Sequence, residues 1–150
     1  MQLIPYINYP GNAAEAIEFY TQALGGKATE LHFYHQFPDM LAQMPEDWQN
    51  KVVHATFVAD EVKFMLADVI EDETHPCGTP KIEYKGCPIA LSLNFTDVAQ
   101  QQKVFDTLAQ NARKIIMPLE DTFWGARFGI LVDKFGIRWM SNYDYPQKLD

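Results

Sequence analysis

The sequence predicts an α+β fold. Two tandem β-α-β-β-β modules form a cupped mixed and antiparallel sheet with the helices on its convex side. Three observations carry this. The order strand, helix, strand, strand, strand is spelled twice, first from Leu3 and again from Ile89. Both helix candidates begin at residues able to cap a helix, and the first ends on Gly25-Gly26. The 150 residues, 47 % of them apolar, suit one domain able to bury a core without a disulfide or metal staple. The first module is expected at about 1–70, a linker at 71–87 and the second module at about 88–145.

Leu3 to Tyr9 reads as a strand stopped by Pro10-Gly11. Asn12 with Glu15 has capping-box spacing, and Ala16, Ile17, Tyr20 and Leu24 follow at helical spacing. Ala28 to Phe37 is the second strand. Pro38 to Lys51 is a loop or short helical insertion, within which Pro38 to Trp48 can serve as a flap or a plain surface loop. Val52 to Ala59 and Val62 to Val69 form a hairpin about Asp60-Glu61. The polar stretch Ile70 to Gly86, with its prolines and glycines, is the linker. Ile89 to Phe95 opens the second module. Thr96 or Asp97 caps a helix to about Gln110, Lys114 to Asp121 is a strand, and Thr122 to Ala126 is a turn. Arg127 to Val132 and Ile137 to Tyr143 then form a hairpin around Asp133-Lys134-Phe135-Gly136. Ile7-Asn8-Tyr9 aligns with Leu93-Asn94-Phe95, and Phe19 with Phe105.

Composition excludes several classes of function. The net charge of −8, from 12 basic and 20 acidic side chains, repels phosphate backbones and argues against nucleic-acid binding. No apolar run approaches the ~20 residues that span a bilayer, and Met1 to Tyr9 lacks the form of a signal peptide. A cytoplasmic location with no membrane partner is the expectation, and with it free thiols at Cys77 and Cys87. Their spacing is wrong for a CxxC pair, although a disulfide between them stays open.

The signature Ala16-Ile17-Glu18-Phe19-Tyr20-Thr21-Gln22-Ala23-Leu24-Gly25-Gly26 resembles the vicinal-oxygen-chelate superfamily of glyoxalase I, bleomycin- and fosfomycin-resistance proteins and extradiol dioxygenases. So do Ile89-Ala90-Leu91-Ser92-Leu93 and the Asp133-Lys134-Phe135-Gly136 turn, where Lys134 stands in place of the usual Pro. Pro5-Tyr6-Ile7, His54-Ala55, Met65 with Asp68, Asp121-Thr122-Phe123-Trp124-Gly125 and Trp139-Met140 are similar to its PhnB-like branch, often labelled 3-demethylubiquinone-9 3-methyltransferase. The methyltransferase label lacks a strand followed by a Gly-rich turn for a nucleoside cofactor; Gly25-Gly26 closes a helix instead of opening one.

The resemblance implies a metal held by four ligands, one per strand. Carried over, those positions fall on Pro5, near Leu66, Pro88 and Met140. Proline and leucine cannot coordinate a cation, and a thioether suits zinc, iron or magnesium poorly. No metal and no cofactor are therefore expected. His32 and His35 point to opposite faces of their strand, and His75 lies in the linker beside Cys77. The resemblance also implies a homodimer.

The expected function is binding of a small organic molecule in the groove of the cupped sheet. The alternatives left open are a metal-independent lyase or isomerase and a divalent-metal enzyme. The candidate catalytic pair is His54 and Asp68, in which a carboxylate orients an imidazole for proton transfer; Asp68 also reads as a strand-end cap. Alternation puts Asp68, Phe64 and Leu66 on one face, taken as the cavity side. Candidate ligand contacts are Phe64, Ser92, Asn94, Trp124, Arg127 and Met140. Trp124 offers a stacking wall and Arg127 a fork for an anion, or else a partner for Glu120 or Asp121. Trp139 is assigned to the helix side.

Overall fold

The computed structural model describes residues 1–72, 74–75 and 88–146. Cys77, Cys87 and most of the expected linker lie outside the described residues. The chain divides into two compact units, Met1–Glu83 and Tyr84–Asp150. Each holds one four-stranded mixed sheet, and the class is α+β.

In the first unit the elements are β1 (Tyr6–Tyr9), α1 (Ala13–Leu24), β2 (Lys27–Phe33), a short α2 (Pro38–Leu41), β3 (Val52–Ala59) and β4 (Val62–Asp68). The sheet order is β1-β4-β3-β2, with β1 parallel to β4 and the other pairs antiparallel. The second unit repeats this with β5 (Leu91–Phe95), α3 (Val98–Leu108), β6 (Lys114–Asp121), β7 (Ala126–Val132) and β8 (Arg138–Asp144), in the order β5-β8-β7-β6. Again the first strand runs parallel to the last. The doubled order read from the sequence is thus present in both topology and pairing.

The helix in each unit covers one sheet face. In the first, Tyr20 of α1 meets Phe64 edge-on at 5.5 Å and Phe57 at 6.3 Å, and Phe57 stacks on Phe64 at 4.9 Å. Such pairs add about 0.5–1.5 kcal/mol each beyond the area they bury. In the second, Phe105 of α3 lies over Gly129, where an added Cβ would sit 2.8 Å from its ring. Glycine lets the helix approach β7 that closely. Leu131 and Trp139, paired across β7 and β8, are buried on the same side.

Two helix starts differ from each other. Asp97 caps α3 as expected, its carboxylate accepting from the Gln100 amide at 2.6 Å. Asn12 makes no side-chain cap on α1. The Ala13 amide instead donates to Asp68 Oδ1 at 2.8 Å, so the cap comes from the end of β4. Sequence spacing detects only local capping; a residue 55 positions away is invisible to it.

The insertion between β2 and β3 is anchored on its C-terminal side. Phe33 ends β2 earlier than expected, and a 3-10 turn follows over Tyr34–Gln36. Buried Trp48, in a second 3-10 turn, meets Tyr34 edge-on at 5.5 Å. Met40 and Phe37 stay exposed. Among the described residues no helix is long and apolar enough to cross a membrane.

Candidate functional site

Strand alternation and register assign every candidate side chain to a face. On β4, Phe64, Leu66 and Asp68 share one side. Phe64 pairs with Phe57 and Leu66 with Ala55, and both pairs lie beneath α1. That side is therefore the helix side and not a cavity wall. Phe64 is 1 % exposed and belongs to the core. The expectation that it contacts ligand is corrected on that ground.

Asp68 is corrected likewise. It is 1 % exposed. Oδ1 accepts from the Ala13 amide and Oδ2 from the Val52 amide, both at 2.8 Å. The carboxylate thus ties the start of α1 to the start of β3. Burial pushes its carboxyl above the usual range, against the pull of the Val52 and Ala13 amides and the Lys51 charge. His54 neighbours Ala55 on β3, so it projects from the opposite face of the sheet. A His54–Asp68 proton-transfer pair is ruled out by this geometry.

His54 has another companion. On the far face of this sheet, turned away from α1, Tyr6 Oη lies 3.1 Å from His54 Nδ1, with ring centroids 5.8 Å apart. Burial raises the Tyr6 phenol above its ordinary value. His32 is the cross-strand register mate of His54, and Thr56 donates to Glu30 Oε2 at 2.9 Å. Glu30 adopts φ 52° where β2 is irregular, an arrangement that strand alternation does not foresee.

The far face of the second sheet has a different chemistry. Ser92 pairs with Met140, Met140 with Ile130, and Ile130 with Met117, forming one row. Asn94 pairs with Asn142, Asn142 with Phe128, and Phe128 with Glu120, forming the next. Trp124, on the turn between β6 and β7, meets Phe128 at 6.2 Å and is 54 % exposed. Ser92, Asn94, Met140 and Trp124 are thus brought to one side. Beside them stand Phe128, Ile130, Met117 and Asn142, which the sequence reading missed. A usable signal existed: Gly129 marks the helix side of β7, which sends Phe128 and Ile130 the other way.

Arg127 shares the parity of Gly129 and Leu131. Its guanidinium donates to Gln102 of α3, and its carbonyl accepts from buried Gln101 at 2.9 Å. It holds the helix to the sheet, and its assignment to the ligand is corrected accordingly. The Asp133 turn is structural too. Oδ1 accepts from the Phe135 and Ile137 amides at 3.0 and 2.9 Å, and Oδ2 accepts from the Trp139 indole at 2.8 Å. Gly136 completes it at φ 95°.

The metal implied by the fold does not fit these residues. Pro5 contributes its carbonyl to the Met65 amide at 2.8 Å, Leu66 is buried under α1, and Met140 offers a thioether. Among the described residues no three His, Cys, Asp or Glu side chains come together as a cation would need.

Comparison with known proteins gives a consistent family. The profile of the Glyoxalase/Bleomycin resistance protein/Dioxygenase superfamily matches residues 4–140. Protein YjdN of Escherichia coli (strain K12) is 32 % identical over 149 residues, 95 % of each chain. Protein PA1353 from Pseudomonas aeruginosa is 35 % identical, with a TM-score of 0.75 over 96 % of this chain and 98 % of that one. A Bacillus cereus protein described as a putative 3-demethylubiquinone-9 3-methyltransferase, PhnB protein, shares the fold at 22 % identity. Its TM-score is 0.72 over 95 % of this chain and 99 % of that one.

Proposed function

The chain belongs to the Glyoxalase/Bleomycin resistance protein/Dioxygenase superfamily, and on that premise we propose that it binds a small organic molecule without the superfamily's metal. The ligand lies on the far face of the C-terminal sheet. The observation that carries this is the pair of rows across that face: Ser92, Met140 and Ile130 beside Asn94, Asn142 and Phe128, with Trp124 at their edge. These rows are largely apolar, with Glu120 at the end of one and Arg138 two residues before Met140 on β8, and suit a flat compound that carries a few polar groups. The aromatic groups supply stacking, the amides supply direction, and the methionines adapt to shape. The donor set argues for metal-free binding, since three of the four inherited ligand positions carry proline or leucine and the fourth only a thioether.

Tryptophan fluorescence supplies the test. Of three tryptophans, Trp48 and Trp139 are buried and Trp124 is 54 % exposed. A panel of planar aromatic and heteroaromatic compounds is titrated in the presence of EDTA, with melting temperature measured in parallel. A true ligand quenches the exposed indole and raises Tm; at 100 times Kd the stabilisation is about 2.7 kcal/mol. Trp124→Ala removes the quench and weakens the shift. A ligand whose Tm shift needs added metal, or is unchanged in both Trp124→Ala and Met140→Ala, refutes the proposal.

A further inference from the structure

The far face of the N-terminal sheet carries a pair of groups with its own chemistry, independent of any ligand on the C-terminal sheet. Tyr6 on β1 reaches across β4 to His54 on β3, Oη to Nδ1 at 3.1 Å. On this face β4 places Met65 and the small Ala67 between them. Tyr6 is 48 % exposed and His54 is partly exposed, so both are open to a small molecule. Among the described residues no group bonds to His54 Nε2.

We propose that Tyr6 and His54 form a bifunctional proton-transfer pair acting on a small enolisable carbonyl compound. A neutral imidazole carries one N–H, and the contact with Tyr6 links its two tautomers to the phenol. With the proton on Nε2, the phenol donates to Nδ1. With the proton on Nδ1, that N–H donates to Oη, the phenol hydrogen turns outward, and Nε2 is a free base. The second arrangement offers an acid and a base at once. Nε2 takes the hydrogen from the carbon beside the carbonyl, and that C–H electron pair becomes the new C=C bond. The carbonyl π pair takes the phenol proton and becomes the enol O–H. The Nδ1 proton passes to the Tyr6 oxygen. The pair ends in its first tautomer, no net charge is created, and no metal, oxidant or further reactant is consumed. The reverse sequence, run after the Nε2 hydrogen has exchanged with water, returns a solvent hydrogen to the same carbon.

The full chain is tested with dihydroxyacetone and hydroxyacetone as probes, following loss of carbon-bound hydrogen in D2O by proton NMR. Nitrogen-15 labelling of histidine reports the His54 tautomer. Wild type is expected to exchange both probes at least tenfold faster than equimolar free imidazole. Tyr6→Phe and His54→Gln are each expected to lose that gain. The double variant should be no slower than either single one, because the two groups act as a unit. Tyr6→Phe is also expected to shift the His54 nitrogen resonances while near-UV circular dichroism stays native. Exchange no faster than imidazole overturns the proposal. So does wild-type exchange in Tyr6→Phe, or unchanged His54 resonances in that variant. Quenching of Trp124 is read separately, so failure here leaves ligand binding on the other sheet standing or falling by its own test.

Discussion

Replacing Asp68 by alanine removes the acceptor of two buried amides at once. The Ala13 and Val52 N–H groups each give up a bond of 2.8 Å, and a side chain 1 % exposed leaves no water to replace it. A buried donor left unpaired costs about 1–3 kcal/mol. The two together put the loss at roughly 2–6 kcal/mol, a large part of the ~5–15 kcal/mol that holds a typical domain. Asn keeps one acceptor oxygen but turns an NH2 toward the second amide, so Asp68→Asn should lose about half as much. The two variants also differ from wild type in pH response. The folded-state pKa of Asp68 is raised by burial above the ordinary 3.8, so its contribution is complete below 3.8 and is lost as pH rises through the raised value. Asn does not titrate. The stability gap between wild type and Asp68→Asn should therefore be widest at the acid end and narrow across that window to a plateau at neutral pH. Urea unfolding at a series of pH values measures both effects. An Asp68→Ala protein within about 1 kcal/mol of wild type, with the same urea slope, would refute the assignment of Asp68 as a cap.

Other consequences can be checked in the same way. Gly129→Ala drives a Cβ to 2.8 Å from the Phe105 ring and should cost about 1–3 kcal/mol in urea unfolding. Gly26→Ala should cost more, because its Cβ would meet the Val58 carbonyl oxygen, a backbone atom, at 2.4 Å. Trp139→Phe withdraws the indole donor from Asp133 Oδ2 and should lower stability by about 1–3 kcal/mol, read as a fall in Tm. Arg127→Met should loosen α3 while leaving compound-induced quenching of Trp124 intact, because its guanidinium engages Gln102 on the helix side.

Elements bounded by strong local chemistry were legible. Gly25 at φ 73° closes α1, its amide donating to the Thr21 carbonyl, and Asp60 at φ 50° turns the two-residue hairpin that Asp60-Glu61 announces. Asn8 and Asn94, aligned by sequence, occupy the same place beside β4 and β8. The candidate site was less legible, and for one reason. Alternation says which residues share a face but not which face the helix takes. Phe64, Leu66 and Asp68 were grouped correctly and then placed on the wrong side. An aromatic pair with Tyr20 decides that matter, and it joins residues 44 positions apart. Tyr6 and His54 stand in the sequence as separate motifs, because their link crosses an intervening strand, a relation that no linear spacing encodes.

Two halves with the same order of elements run a risk during folding: a strand from one can dock in the place meant for its counterpart. Each sheet has two outer strands with a neighbour on one side only, β1 and β2 in the first and β5 and β6 in the second, and the counterparts β2 and β6 differ most in their local form. Their irregularities make them poor substitutes for one another. β2 slips register between Thr29 and Phe33, around a left-handed Glu30. β6 slips twice, between Ile115 and Glu120, and its Pro118 has no amide to offer. A β6 laid against β3 would bring its kinks to the wrong rungs and leave ladder groups unpaired, and β2 against β7 would fare no better. Each edge is cut like a key for its own lock, which lets a duplicated chain keep its halves from trading parts.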